Sequence, residues 1–334
     1  MPAASPRISI GLPVFNGERF LLETLESIAA QTFGDFEVAI SDNASTDATG
    51  EIARDFALRD SRFVYSRSER NLGAAPNYNR AYSMTSGPLF KWAAHDDVLA
   101  PTYLERCLAQ LEAVPDAVLC QSLFHYIDES SQILGTYASE LEGVDGDRAS
   151  GRFAAVVLKP HPCNEFFGLI RREALTGSLL HASFHGADRA LMAQLALRGR
   201  LLVVRDPLLR MREHLTRYTR SAVRPADRLA WHDASRAGVR ELPTLRLYRE
   251  YLAMVRSEPL EDRERRACLG YLARWWVTNW NAVRVAVDGV SIVFPGAVSR
   301  AEAIKHRLFR PAPGWGAYAA KPSGESAGES ADRR

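Results

Sequence analysis

The chain has 334 residues, of which 46% are hydrophobic and 25% charged, and its formal net charge is +2. This is ordinary globular composition, and the length suits a large α/β domain with an extension, or two domains. Near-balanced charge argues against nucleic acid as the main partner. No stretch reaches the roughly 20 apolar residues that span a bilayer, since the best candidate, 282–298, is broken by Arg284, Asp288 and Pro295.

The opening MPAASPRISIGLP carries no apolar run of signal-peptide length. The expected location is the cytoplasm, with any membrane contact peripheral, at the inner face of the cell membrane. Cys107, Cys120, Cys163 and Cys268 form no Cys-x-x-Cys pair. They suit neither a zinc site nor a disulfide framework and read as small buried residues.

In chain order, Arg7 to Leu12 is a β-rich run closed by Pro13, and Phe20, Leu21, Leu25 and Ile28 form one helical stripe within 19–30. Phe36 to Ile40 predicts a buried strand. Ser45, Thr46 and Asp47 offer N-cap chemistry for a helix reaching Asp60. A strand follows at 63–65, a helix at 75–85 and a strand at 89–93. Pro101 opens a helix to about Ala113, and 118–123 is a fifth strand. This alternation predicts a doubly wound, mostly parallel sheet.

Ligands of such sheets bind beyond the carboxyl ends of the strands. Polar clusters occupy those positions: Asn16 to Glu18, Asp42 to Asp47, Asn71 to Gly73, and His95-Asp96-Asp97. Residues 124–221 mix loops, short strands and one clear helix, 189–198. From Pro225 to about Leu308 the pattern is largely helical, with Trp231, Trp275, Trp276 and Trp280, and the Gly/Ser/Glu-rich tail 319–334 predicts disorder.

Taken together, Pro13-Val14-Phe15-Asn16, SIAAQTFGDFEVAISDNASTD, NLGAAPNYNRA, and the His95-Asp96-Asp97 run ahead of Pro101 resemble the family 2 glycosyltransferases. The likeness runs from about Arg7 to Ser221. It implies a GT-A fold over 1–222, with a nucleotide-binding half (7–123) and an acceptor half (124–222), then a C-terminal helical extension (223–318) and a disordered tail (319–334). It also implies an inverting, metal-dependent transfer of a sugar from a nucleotide-diphosphate donor to a hydroxyl acceptor. That acceptor could be a glycan, a glycolipid or a small molecule.

The resemblance assigns roles. Pro13, Phe15, Asn16 and Glu18 would meet the nucleotide. Asp42 and Asn43 stand where an acidic pair commonly reads uracil; the amide at 43 leaves UDP, dTDP and GDP donors open. Arg70, Asn71, Gly73 and Asn77 complete the donor set, with Arg70 toward base or diphosphate. A diphosphate leaving group needs its charge neutralised, and Mn²⁺ or Mg²⁺ on hard oxygen ligands supplies this. Asp96 is the expected main ligand and donor contact, with Asp97 and His214 joining the metal and Arg212 facing the leaving group. Asp188 would deprotonate the acceptor. The pattern departs from the family at Ala94, where the first metal-motif acid would stand, and at Ala187, where a Glu is usual.

Two rivals are weighed. A sugar nucleotidyltransferase usually shows a Gly-rich basic loop where this chain has Asn16-Gly17-Glu18. A non-catalytic nucleotide-sugar binding protein would suit the two alanines. Beyond the core, Trp275, Trp276 and Trp280 have near-helical spacing, with Arg263, Arg265 and Arg266 before them and Arg300, Lys305, Arg307 and Arg310 after. This pattern admits docking on a membrane carrying a lipid-linked acceptor, or packing against the catalytic domain or a second subunit as a homodimer.

Overall fold

A computed structural model describes residues 5–137, 141, 143–214 and 225–294. The expected tail 319–334, and Arg300, Lys305, Arg307 and Arg310, lie outside the described residues.

The first half forms as its periodicity dictates. β1 (Ile8–Val14) is buried along its whole length, as a parallel strand covered on both faces must be. β2 (Phe36–Asp42), β3 (Phe63–Arg67) and β4 (Leu89–Trp92) run parallel with it in the order β3-β2-β1-β4. Helices α1 (Leu21–Ala29), α2 (Thr49–Arg59), α3 (Ala74–Ser83) and α4 (Tyr103–Ala113) alternate with the strands. Each turns one stripe inward, such as Leu21, Leu25 and Ile28 on α1 or Leu104, Cys107, Leu108 and Leu111 on α4. Val14 pairs with Asp42 and Asp42 with Arg67. These strands therefore end level, and the polar residues that follow them gather on one rim.

The second half is richer than its sequence pattern. β5 (Val98–Leu99), β6 (Ala117–Ile127), β7 (Ile133–Tyr137), β8 (Leu169–Arg171) and β9 (Arg200–Arg212) extend the sheet to β3-β2-β1-β4-β8-β6-β9-β5, with β7 on β6. The long ladders, β1 with β2 and β6 with β9, are parallel. The antiparallel pairings involve the short β5, β7 and β8. β9 escapes a period-2 reading because its register on β6 jumps between Val204 and Pro207, where Arg205 and Asp206 bulge out exposed. All four cysteines are buried and unbridged.

Among the described residues of this half are the helices α5 (Ala149–Leu158), α6 (Arg172–Leu175) and α7 (Ala187–Arg198). α7 is buried nearly all round, so something must cover its outer side. The extension does so, with α8 (Pro225–His232), α9 (Pro243–Ser257), α10 (Asp262–Trp275) and α11 (Asn281–Val293). Tyr251, Met254 and Val255 of α9 and Cys268, Leu272 and Trp275 of α10 share one core with Phe153, Val156, Leu191 and Leu195. Glu258, buried after α9, accepts hydrogen bonds from Gln194 at 2.7 Å and Arg198 at 2.7 Å. Of the two roles open to the tryptophans, packing against the catalytic domain is the one that two of them take. Trp275 is 3% exposed, and Trp276 is partly buried, its ring 4.7 Å from that of Tyr248.

Candidate active site

The rim at the carboxyl ends of β1–β4 is laced together by its own polar groups. Asn16, at φ 51°, donates its N–H to Ser45 Oγ at 2.9 Å and accepts from the N–H of Thr46 with its amide oxygen at 2.9 Å. Glu18 accepts the N–H of Ala48 at 2.9 Å, and Asp47 accepts the N–H groups of Glu18 and Thr49. Asp47 thus serves the start of α2 as expected, from one residue outside the N-cap Ala48.

Several of the expected donor contacts are engaged in bonds within the rim itself. Asn43 is 3% exposed; its amide donates to Asn71 Oδ1 at 2.9 Å and the Gly73 carbonyl at 3.0 Å, and accepts the Leu72 N–H at 2.9 Å. Asn71 also accepts from the N–H of Gly73. Asn77 is buried between Ser41, whose hydroxyl and carbonyl it engages, and the Val14 carbonyl. Pro13 is buried within β1. Asn43 and Asn77 therefore hold the loops in place, because buried polar groups bond internally when water is excluded, whereas Asn16, Glu18 and Asn71 join the lacing but stay exposed on the rim.

Asp42 is fully buried. One carboxylate oxygen accepts the Ser45 N–H at 2.8 Å; the other accepts the Tyr65 hydroxyl at 2.8 Å and lies 3.6 Å from Arg67 Nε. Burial, then the Asp42 carboxylate, push the Tyr65 hydroxyl up to about 12, so it stays a donor to Asp42. The expected role of Asp42 as a free acceptor for a base N–H is corrected by this full set of partners. Among the groups this rim leaves outward are the Phe15 ring, 43% exposed, the exposed Asn16, Glu18 and Asn71, and the exposed Arg67 and Arg70. Arg67 and Tyr65 carried no motif and emerge only from their register beside Asp42. Gly73 adopts φ +92°, and a Cβ there would stand 2.7 Å from the Cα of Asp233. The extension thus rests on this loop, sealed by the Ala234 N–H to the Leu72 carbonyl at 3.1 Å.

Beyond β4 the chain turns at His95-Asp96-Asp97. Thr24 of α1 fixes the turn by donating to the carbonyls of His95 and Asp97. Gly17 is tight against the His95 ring, where a Cβ would be 2.5 Å away. Asp96 is buried and its Oδ2 lies 2.8 Å from His214 Nε2, just past β9. Sequence positions 118 apart thus meet. Asp97 turns inward instead: its Oδ1 accepts the Arg212 N–H at 3.1 Å. It also feels Lys91, which is buried under the turn beside the Tyr103 ring. Burial pushes the Lys91 ammonium down to about 8, and Cys107 and Asp97 pull it back up. The expectation of Asp97 as a metal ligand is corrected by this inward bonding.

Arg212 is 1% exposed. Its guanidinium donates to the Asp96 carbonyl at 3.0 Å, the Asp128 carbonyl at 3.0 Å, Ser131 Oγ at 3.0 Å and Glu23 at 2.5 Å, and stacks over the Phe20 ring. It buttresses the Asp96 turn, and its expected part against the leaving group is corrected accordingly. Glu23, its ionic partner on α1, left no signal in the sequence.

Asp188 lies in the first turn of α7, where its Oδ1 accepts the Arg189 N–H at 2.8 Å. The N-cap is Gly186 at φ 93°, so capping does not account for the acid. Ala187 beside it is fully buried, which leaves no room for a charged Glu. A run of rings leads from β4 to this loop: Trp92 stacks on Phe166 at 4.6 Å, and Phe166 lies 5.5 Å from His181. Asp188 is within electrostatic reach of His181.

The donor set at Asp96 fits a divalent ion. A carboxylate and an imidazole meet at a separation close to the edge of an octahedron with bonds of about 2.1 Å, roughly 3 Å. Among the described residues no third His, Cys, Asp or Glu joins them. Phosphate oxygens and water would complete the shell, the usual arrangement for such ions.

Residues 9–176, half of the chain, match the family model of Glycosyl transferase family 2. The chain belongs to this family. Among its relatives, an uncharacterized glycosyltransferase of Methanocaldococcus jannaschii is 31% identical over 137 residues, covering 40% of this chain and 47% of that protein. Glycosyltransferase GlyG of Streptococcus pneumoniae serotype 4 is 30% identical over 126 residues, covering 38% and 42%. The matched segment thus spans less than half of each of these relatives. The fold is shared with S. aureus TarS 1-349 in complex with UDP-GlcNAc, at a TM-score of 0.59, 18% identity and coverage of 81% of this chain and 73% of that one. It is also shared with the mannosyltransferase PcManGT of Pyrobaculum calidifontis in complex with GDP-Man and Mn²⁺, at a TM-score of 0.54, 17% identity and coverage of 93% and 83%. The described sheet is accordingly a GT-A-type sheet.

Proposed function

We propose that this chain is a metal-dependent, inverting glycosyltransferase that moves a sugar from a nucleoside-diphosphate donor to a hydroxyl acceptor. The observation that carries the reading is the meeting of Asp96 and His214 on the carboxyl rim. Bound nucleotide sugars in the two fold neighbours, one with Mn²⁺, support the same donor class.

Asp96 and His214 would hold Mn²⁺ or Mg²⁺, which supplies positive charge to the departing diphosphate. Arg212 and Thr24 fix the turn that presents Asp96. The exposed Phe15 ring offers an apolar face to a nucleobase, and Arg67 and Arg70 offer cations to base or phosphate. Asp188 accepts the acceptor's hydroxyl proton as its oxygen bonds to the anomeric carbon and the bond to the diphosphate breaks. Inversion follows from attack opposite the leaving group.

Incubation with a panel of UDP-, dTDP- and GDP-sugars and Mn²⁺ tests the reading. Release of a nucleoside diphosphate is expected with at least one donor. No release from any donor would favour a binding module, and formation of a nucleotide sugar with pyrophosphate from a nucleoside triphosphate and a sugar 1-phosphate, supplied in a parallel incubation, would favour nucleotidyl transfer.

A further inference from the structure

Helix α11 is amphipathic the wrong way round. Its inward side carries polar anchors: Asn281 is 5% exposed and donates to the Trp275 carbonyl at 2.8 Å, and Asp288 accepts the Thr244 N–H at 3.0 Å. Its outward side carries Val283 (51% exposed), Val287 (45%), Val290 (49%) and Phe294 (63%), at i, i+4, i+7 and i+11. Val277 and Trp280, 79% and 76% exposed, stand just ahead of the helix. Scattered exposed valines need no explanation, but a contiguous stripe marks an interaction surface.

The charge flanking the stripe in the sequence suggests what covers it. From Arg263 to Arg310 the sequence holds nine Arg and Lys against three Asp and Glu, a surplus of six in a chain whose total surplus is two. Arg263, Arg266, Arg274 and Arg284 are exposed. A second copy of the chain is a poor occupant, since a two-fold contact sets the same patch against itself and would oppose two basic surfaces. An anionic surface is complementary. No described helix is long and apolar enough to cross a membrane. From Trp280 to Phe294 the stripe is about 21 Å long, which suits a helix lying in the plane of the headgroups.

We propose that the stripe of Trp280, Val283, Val287, Val290 and Phe294 docks the protein on an anionic lipid surface. Trp280 sits at the headgroup level, where tryptophan is favoured, and the valines and Phe294 enter the acyl boundary. Arg274 and Arg284 meet the lipid charge. The docked helix is coupled to the proposed base. Asp288 holds the start of α9, and Leu247 of α9 packs 3.6 Å from the Cβ position of Gly186, the N-cap of the helix that carries Asp188. Docking thus places Asp188 near acceptors that ride in the same surface, although the docking itself does not depend on the transfer reading.

Flotation of the full chain with two vesicle types decides the matter: phosphatidylcholine alone, and phosphatidylcholine with phosphatidylglycerol. Enzyme activity plays no part in this readout, so failure of transfer and failure of docking stay distinguishable. The wild type is expected to float with the anionic vesicles at low salt and to be released by high salt. The Trp280→Ser, Val287→Ser double variant should partition at least about tenfold more weakly. The Arg274→Ser, Arg284→Ser pair, which leaves the stripe intact, should do likewise, and it keeps the test open should the stripe variant fail to fold. No flotation of the wild type, unchanged partition of either pair, or a dimer in solution that the stripe variant dissolves would overturn the proposal.

Discussion

Individual side chains divide into those that face the rim and those that build it. We propose Asp188 for the first group because the acid is not the N-cap of α7. Gly186 already caps the helix, and the acid's bond to the Arg189 N–H is local. Replacing Asp188 with Asn keeps that local bond and removes the basic oxygen. We expect transfer to fall by about 100-fold or more, the usual range for a positioned base, with donor affinity unchanged. Initial rates alongside donor titrations measure this, and a variant that retains substantial transfer would remove Asp188 from the chemistry. Asp96 was legible because two acids close an apolar strand; its partner His214 was legible only through the family likeness. The roles of Asp97 and Arg212 came from the family likeness, which reports positions along the chain. It does not report that Asp97 turns inward to the Arg212 N–H or that Arg212 reaches back to the Asp96 carbonyl.

At the scale of elements, the loops after β2 and β3 act as one unit through the Asn43 amide. Loss of that amide leaves the Leu72 N–H and the Gly73 carbonyl without this partner in a buried place. Asn43→Ala should therefore destabilise the protein by about 1–3 kcal/mol, read as a lower urea midpoint. An unchanged midpoint would mean that the loop is held by the Asp233–Ala234 contact alone. The strands and helices of the first half were readable because each has one clear period and a turn signal at its end. α5 and β9 were not. α5 mixes buried Ser150 and Arg152 with apolar residues, and β9 is interrupted by its bulge. In both, tertiary contacts decide which residues face inward: Arg152 is buried because it donates to the carbonyls of Ala196, Gly146 and Asp147.

Across the whole molecule, the extension and the second half of the sheet domain share one core, so the chain should lose structure cooperatively. Buried histidines set part of its response to acid. His161 is held neutral: Nε2 donates to the Val156 carbonyl at 3.1 Å and Nδ1 accepts the Cys163 N–H at 3.3 Å. Burial, then Arg189, push its imidazole down to about 3, and burial with the neighbouring His181 and His185 does the same to His232. The unfolded chain binds these protons near pH 6.5 while the folded chain refuses them. Stability should be full above about pH 6.5 and fall as pH drops toward about 3. Thermal melts across that window should show a shallower fall for His161→Gln; an identical slope would place the acid sensitivity elsewhere.

The central claim is that Asp96, brought against His214 at the carboxyl rim, supports metal-dependent use of a nucleotide-sugar donor. Release of nucleoside diphosphate from the preferred donor, measured with Mn²⁺ and with chelator for the wild type and Asp96→Ala, tests it most directly. The expected result is turnover by the wild type with Mn²⁺, its loss in chelator, and loss of at least about 100-fold in the variant with metal present. Turnover by Asp96→Ala equal to that of the wild type, with the same dependence on Mn²⁺, would contradict the account.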